Sequence, residues 1–103
     1  MVDENQKWAG RFFKRAKDFV NSIPIADRAR ITAQVNTMLE GKKVYTKQLK
    51  GRVRELIVGP YRMIYFTKNL NIYFVNGFRK KGQKTPTKEI AMAEKLYWEM
   101  SKK

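Results

Sequence analysis

The sequence predicts one α+β domain: an N-terminal helical hairpin packed on a small antiparallel sheet, closed by a C-terminal helix. Three observations carry that expectation. Apolar residues recur at helical spacing up to Leu39, the period switches to two between Val44 and Asn76, and the helical period returns after Pro86. The strand-like segments stand together on short connectors, which implies antiparallel neighbours with helices packed on them. At 103 residues, 43% hydrophobic and 13% aromatic, the chain suits a single core over residues 1–103.

Each element has its own justification. Trp8, Phe12, Ala16, Phe19, Val20 and Ile23 repeat at helical spacing with charged residues between them, so a first helix is expected over about 6–22. Pro24 ends it. Asp27 is the expected N-cap of a second helix, with Ile31, Val35, Met38 and Leu39 as its buried stripe and Gly41 as its stop. The short SIPIA connection makes the two helices an antiparallel pair. VYTKQLK (44–50), RVRELIV (52–58), YRMIYFT (61–67) and NIYFVN (71–76) then read as strands, the last two joined in a hairpin at Lys68-Asn69. In YRMIYF both faces carry apolar residues, so this is a central strand, and Arg62 starts near a covered surface. Thr85 is the expected N-cap of the third helix, with Pro86 at its first helical position and Ile90, Ala93, Tyr97 and Met100 along one side.

Charge is confined to the second half. Residues 1–41 carry seven cations and five carboxylates; residues 42–103 carry sixteen and four. Within 42–88 Glu55 is the sole carboxylate against thirteen Lys and Arg. Such asymmetry points to a polyanionic partner, nucleic acid or ribonucleoprotein, with a merely solvated basic surface as the alternative. A membrane surface is disfavoured, because the basic segment alternates like strands. No apolar run approaches the ~18 residues that span a bilayer, and no signal-peptide pattern precedes the first helix. The chain has no cysteine, which suits a reducing cytoplasm.

Without cysteine or histidine, thiolate and imidazole chemistry is excluded. The basic half is too poor in carboxylates for two-metal hydrolysis, and no phosphate-cradling glycine motif is present, so neither metal nor cofactor is expected. One route stays open. RNA can be cut by its own 2′-hydroxyl if a protein aligns it, neutralises the anionic phosphorane and moves two protons. Arginine forks onto phosphate oxygens, and a lysine or tyrosine among other cations can handle protons. GFRKKGQKTPTKEI (77–90) runs from the end of a strand to a helix start and carries Lys80, Lys81 and Lys84. If 61–67 pairs with 71–76, Arg62 faces residues near 75–77, at the same end of the sheet as this connector. A phosphate site there is one reading; a basic rim with Arg62 paired to Glu55 is the other.

LKGRVRELIVGPYRMIYF (49–66) followed by NIYFVNGFRKKGQKTPTKEIAMA (71–93) resembles the RelE/HigB toxin superfamily, in particular its phage-derived HigB-like branch. The resemblance implies a RelE-like fold and the toxin of a type II toxin–antitoxin system, a metal-independent endoribonuclease that enters the ribosomal A site and cuts mRNA there. It implies a cognate antitoxin, of the helix-turn-helix kind, as partner. It assigns transition-state phosphate stabilisation to Arg62, and RNA contact and proton transfer to Arg79, Lys80, Lys81 and Lys84, with Arg62, Lys81 and Lys84 as the catalytic set. Lys47, Lys50, Arg52 and Arg54 match the basic region expected to face mRNA or ribosomal RNA. Relatives often carry a late tyrosine or histidine, absent from TPTKEIAMA here, so Lys84 is the leading proton-transfer candidate. Relatives also often begin with a strand, for which MVDENQKWAG is a poor match. ParE-like inhibition of DNA gyrase and non-catalytic nucleic-acid binding are the alternatives on the same fold.

Overall fold

The computed structural model describes residues 7–82 and 84–102. In chain order these form β1 (Ala9–Phe12), α1 (Lys14–Ser22), α2 (Ile25–Leu39), β2 (Thr46–Lys50), β3 (Val53–Val58), β4 (Tyr61–Lys68), β5 (Asn71–Arg79) and α3 (Thr87–Ser101). The strands make one sheet in the order β1-β5-β4-β3-β2. β2 to β5 are an antiparallel meander, whereas β1 pairs parallel with β5 at the outer edge. The sheet is therefore mixed.

Both faces of the sheet are covered. On one, Leu56, Val58, Tyr61, Met63, Tyr65, Ile72 and Phe74 are buried under Ala16 of α1 and Ile31, Val35 and Met38 of α2. On the other, Val53, Ile64, Phe66 and Val75 are buried under Ala93 of α3. Burial on both sides explains why β4 lacks a clean polar alternation.

The helix expected over 6–22 is two elements. Trp8 and Phe12 are four apart, a spacing that puts them on one side in a strand as well as in a helix, so periodicity could not separate the two. The backbone decides it: Ala9 N–H donates to Leu70 O at 3.0 Å and Phe13 N–H to Phe74 O at 3.0 Å. Phe12 stacks on Phe74 with centroids 4.7 Å apart. An N-terminal strand is thus present at Ala9–Phe12, and residues 1–6 of the stretch that reads as a poor strand lie outside the described residues. Two caps also differ. Pro24, not Asp27, caps α2, and Pro86, not Thr85, caps α3. The Asp27 carboxylate accepts from the Tyr61 hydroxyl and Thr85 bonds Glu55, so tertiary partners take both side chains away from the helix ends.

The β4–β5 hairpin positions the site. Asn69 (φ 50°) and Leu70 (φ 64°) both lie in the left-handed region, the geometry of a two-residue turn matched to strand twist. Beyond it a bulge shifts the register between Ile64 and Tyr65, so Arg62 faces Phe78 rather than residues 75–77. β5 also runs three residues past the expected end, to Arg79. Gly77 lies where α1 presses on the sheet: a Cβ there would meet the Phe19 ring and sit 2.6 Å from Met63 Sδ. Gly77→Ala should therefore lower stability by about 1–3 kcal/mol through overpacking. Urea unfolding is the check, and an unchanged midpoint would show that α1 gives way freely.

Candidate phosphate-binding site

The Gly59-Pro60 turn, with Gly59 at φ 57°, sends β3 back as β4 and fixes one end of the sheet. There Tyr61 pairs with Arg79, and Lys80 N–H donates to Pro60 O at 2.8 Å, extending the contact one residue past β5. The basic connector thus leaves the sheet beside the start of β4. Arg62 and the connector do share one end of the molecule.

Arg62 is held on the α3 face with its side chain 14% exposed. Its Nη1 donates to Gly59 O at 2.7 Å and Tyr61 O at 2.9 Å. Its Nε lies 3.5 Å from Oε2 of Glu55, which is fully buried on β3. The other oxygen of Glu55, Oε1, accepts the hydroxyl of buried Thr85. A carboxylate this deep is tolerable only with a cation and donors around it, and these are its partners. Glu55 thereby joins β3, β4 and the residue directly after Lys84. Arg62 is thus paired to Glu55, at the start of a strand that the connector adjoins.

The remaining cations scatter. Lys81 and Lys84 are exposed and Lys80 half-buried on the connector, and among the described residues none of the three makes a salt bridge. Lys47 pairs in register with Glu55 on edge strand β2, on the Arg62 side of the sheet. Lys50 is tied to Glu94 of α3 at 3.4 Å. Arg52 lies in the β2–β3 turn, at the opposite end of the sheet from Gly59. Arg54 is on the other face, donating to the Tyr65 hydroxyl at 3.3 Å and Thr46 Oγ1 at 3.0 Å, in a groove with Lys42 and Lys43. Arg79 turns to that face as well, its guanidinium 5.8 Å from the centre of the Tyr61 ring. The α3 start already holds an internal anion, Glu89, bonded by Asn76 and 3.5 Å from Arg15, so less of its field is open to a ligand.

Sequence reasoning gave Glu55 no role in the site beyond pairing with Arg62, and missed Thr85. Glu55 could have been found: alternation puts it on one side of β3 with Val53 and Ile57, an apolar setting where a lone carboxylate needs a partner. Thr85 could not, because its role depends on where the connector lands.

Comparisons with known proteins fit this architecture. The family model described as "Phage derived protein Gp49-like (DUF891)" matches residues 18–98. The chain belongs to the Gp49-like family. That family is a branch of the RelE-like toxins. Solved structures share the fold at low identity. The RelBE2 toxin–antitoxin complex of Mycobacterium tuberculosis is similar at TM-score 0.65 and 16% identity, covering 77% of this chain and 98% of that one. The archaeal RelE–RelB complex of Pyrococcus horikoshii gives 0.63 and 18%, covering 75% and 99%. The RelB–RelE complex of Methanococcus jannaschii gives 0.57 and 21%, covering 67% and 88%. No curated protein matches significantly by sequence.

In this Gp49-like protein Tyr61 is not the acidified tyrosine that a basic surface suggests. Its hydroxyl donates to Asp27 Oδ2 at 2.7 Å, and that bond, with burial and the negative charge, raises its pKa above the ordinary 10.0. A group that binds its proton more tightly when folded adds stability below its unfolded pKa and loses it as pH rises through the folded one. Wild-type stability should therefore carry a component that disappears above pH 10, and Tyr61→Phe should lack it. Denaturant midpoints across that range are the measurement. Parallel pH curves for the two proteins would contradict the assignment.

Proposed function

We propose that this protein is the toxin of a type II toxin–antitoxin pair and that it cuts mRNA on the ribosome. The observation that carries the reading is the anchored Arg62 guanidinium at the start of β4, beside a connector that carries Lys80, Lys81 and Lys84. A scissile phosphodiester seated between them would meet a permanent cation on one side and proton-bearing amines on the other. The 2′-hydroxyl then attacks phosphorus, losing its proton to a base. The P–O5′ bond breaks and the leaving oxygen gains a proton, giving a 2′,3′-cyclic phosphate and a 5′-hydroxyl. Arg62 stabilises the charge that grows on the non-bridging oxygens. Lys84 and Lys81 are assigned to the protons, and Arg79, Lys80 and Lys47 to the flanking RNA.

Membership of a RelE-like toxin family and the fold shared with toxin–antitoxin complexes support an antitoxin partner. Acidic side chains laid across the basic end of the sheet would silence the site by occupying it. A second reading, a non-catalytic RNA-binding protein, draws on one observation: Arg62 is largely covered and already has a counter-ion in Glu55.

The deciding experiment uses a defined mRNA on stalled ribosomes. Wild type should cut in the codon-bearing site, Arg62→Ala should lose about 100- to 1,000-fold in rate, and Lys84→Ala about 100-fold. Because removing one member of a buried pair costs about 3–5 kcal/mol of stability, Arg62→Lys accompanies it as the variant that keeps the charge but not the fork. Intact mRNA under wild type would leave the binding reading, and inhibited DNA supercoiling would favour the gyrase target.

A further inference from the structure

Glu55 is fully buried, so RNA does not reach it, yet it contacts two parts of the site. Its oxygens are divided. Oε2 faces Arg62 Nε at 3.5 Å, and Oε1 accepts from Thr85, the residue after Lys84. The connector is pinned at its other end by the Lys80–Pro60 backbone bond, and between the pins Gly82 adopts φ 111°, a backbone state that favours glycine. Meanwhile Nη1 of Arg62 donates to two carbonyls, and Glu55 supplies the only charged contact of the guanidinium among the described residues, an ion pair at Nε without a hydrogen bond.

We propose that Glu55 is a positioning residue: one buried carboxylate holds the Arg62 guanidinium at the start of β4 by charge and, through Thr85, sets the place of Lys84 relative to it. The inference rests on the nuclease reading above. A carboxylate is required because it is an acceptor on both oxygens. Glutamine keeps the acceptor for Thr85 but sets an amide against Nε–H, so the attraction to Arg62 is lost while the volume stays. Thr85→Val removes the other link without touching Arg62, and Thr85→Ser restores its hydroxyl.

The test combines ribosome cleavage with ¹⁵N spectra of the arginine side chains. Glu55→Gln and Thr85→Val should each lower the rate at saturation about 100-fold, the scale of a misplaced catalytic group. The concentration for half-maximal cutting should move by less than about threefold, and Thr85→Ser should match wild type. In an Arg62→Lys background Glu55→Gln should add little, because it acts through a guanidinium already gone. The Arg62 Nε–H signal should shift between wild type and Glu55→Gln, because the carboxylate charge beside it is gone. Wild-type rates in a folded Glu55→Gln, multiplicative losses in the double variant, or an unaltered Arg62 signal would each overturn the inference while leaving the nuclease reading intact. A wild type that cuts nothing sinks the nuclease reading first, and the Arg62 signal then still decides whether Glu55 holds the guanidinium.

Discussion

A single buried carboxylate ties together the end of this molecule where β4 begins and the basic connector leaves the sheet. Glu55 sits in an otherwise apolar stretch of β3, and its burial is sustained by Arg62 from the next strand and Thr85 from the connector. Removing either partner leaves a charge or an acceptor stranded where water cannot reach. The pair is also unsaturated: neither Glu55 Oε2 nor Arg62 Nε has a hydrogen bond among the described residues, so attraction here is ionic rather than directional. An arrangement of that kind holds a guanidinium in place without using up all of its donors. Apolar replacements would pack as well and would present no fork.

The sheet supplies the frame on which this can work. Helices on both sides bury β4 along most of its length, and the hairpin with its bulge decides which β5 residue stands opposite Arg62. One residue of slip would turn Arg62 to the α1–α2 face, away from Glu55. Phe12 stacked on Phe74 and the α1 contact at Gly77 press on β5 from the far side. Precision at the site is thus a consequence of packing elsewhere.

The sequence made much of this readable and some of it opaque. Strands β2 to β5 were legible because β-branched and aromatic runs were broken by glycine, proline and asparagine at the turns, and α3 because helical spacing resumed after Pro86. β1 was not, because a four-residue spacing serves both periods and a parallel edge strand depends on a partner sixty-two residues away. The convergence of Arg62 with the connector followed from hairpin logic, within the single residue the bulge added. Scatter of the other cations was invisible: Arg52 and Arg54 are two apart, yet one ends at the far turn and the other on the opposite face, in a groove with Lys42 and Lys43. Charge density located a basic half. Only topology separated its two faces.

The most direct test is to ask which of those faces receives RNA. A short RNA with a 2′-deoxy nucleotide at its centre, which cannot undergo self-attack, is titrated into ¹⁵N-labelled protein while side-chain and backbone signals are followed. Perturbations centred on Arg62, Lys81, Lys84 and Thr85 are the predicted result. Perturbations confined to Arg54, Lys42 and Lys43, with Arg62 unmoved, would contradict the account.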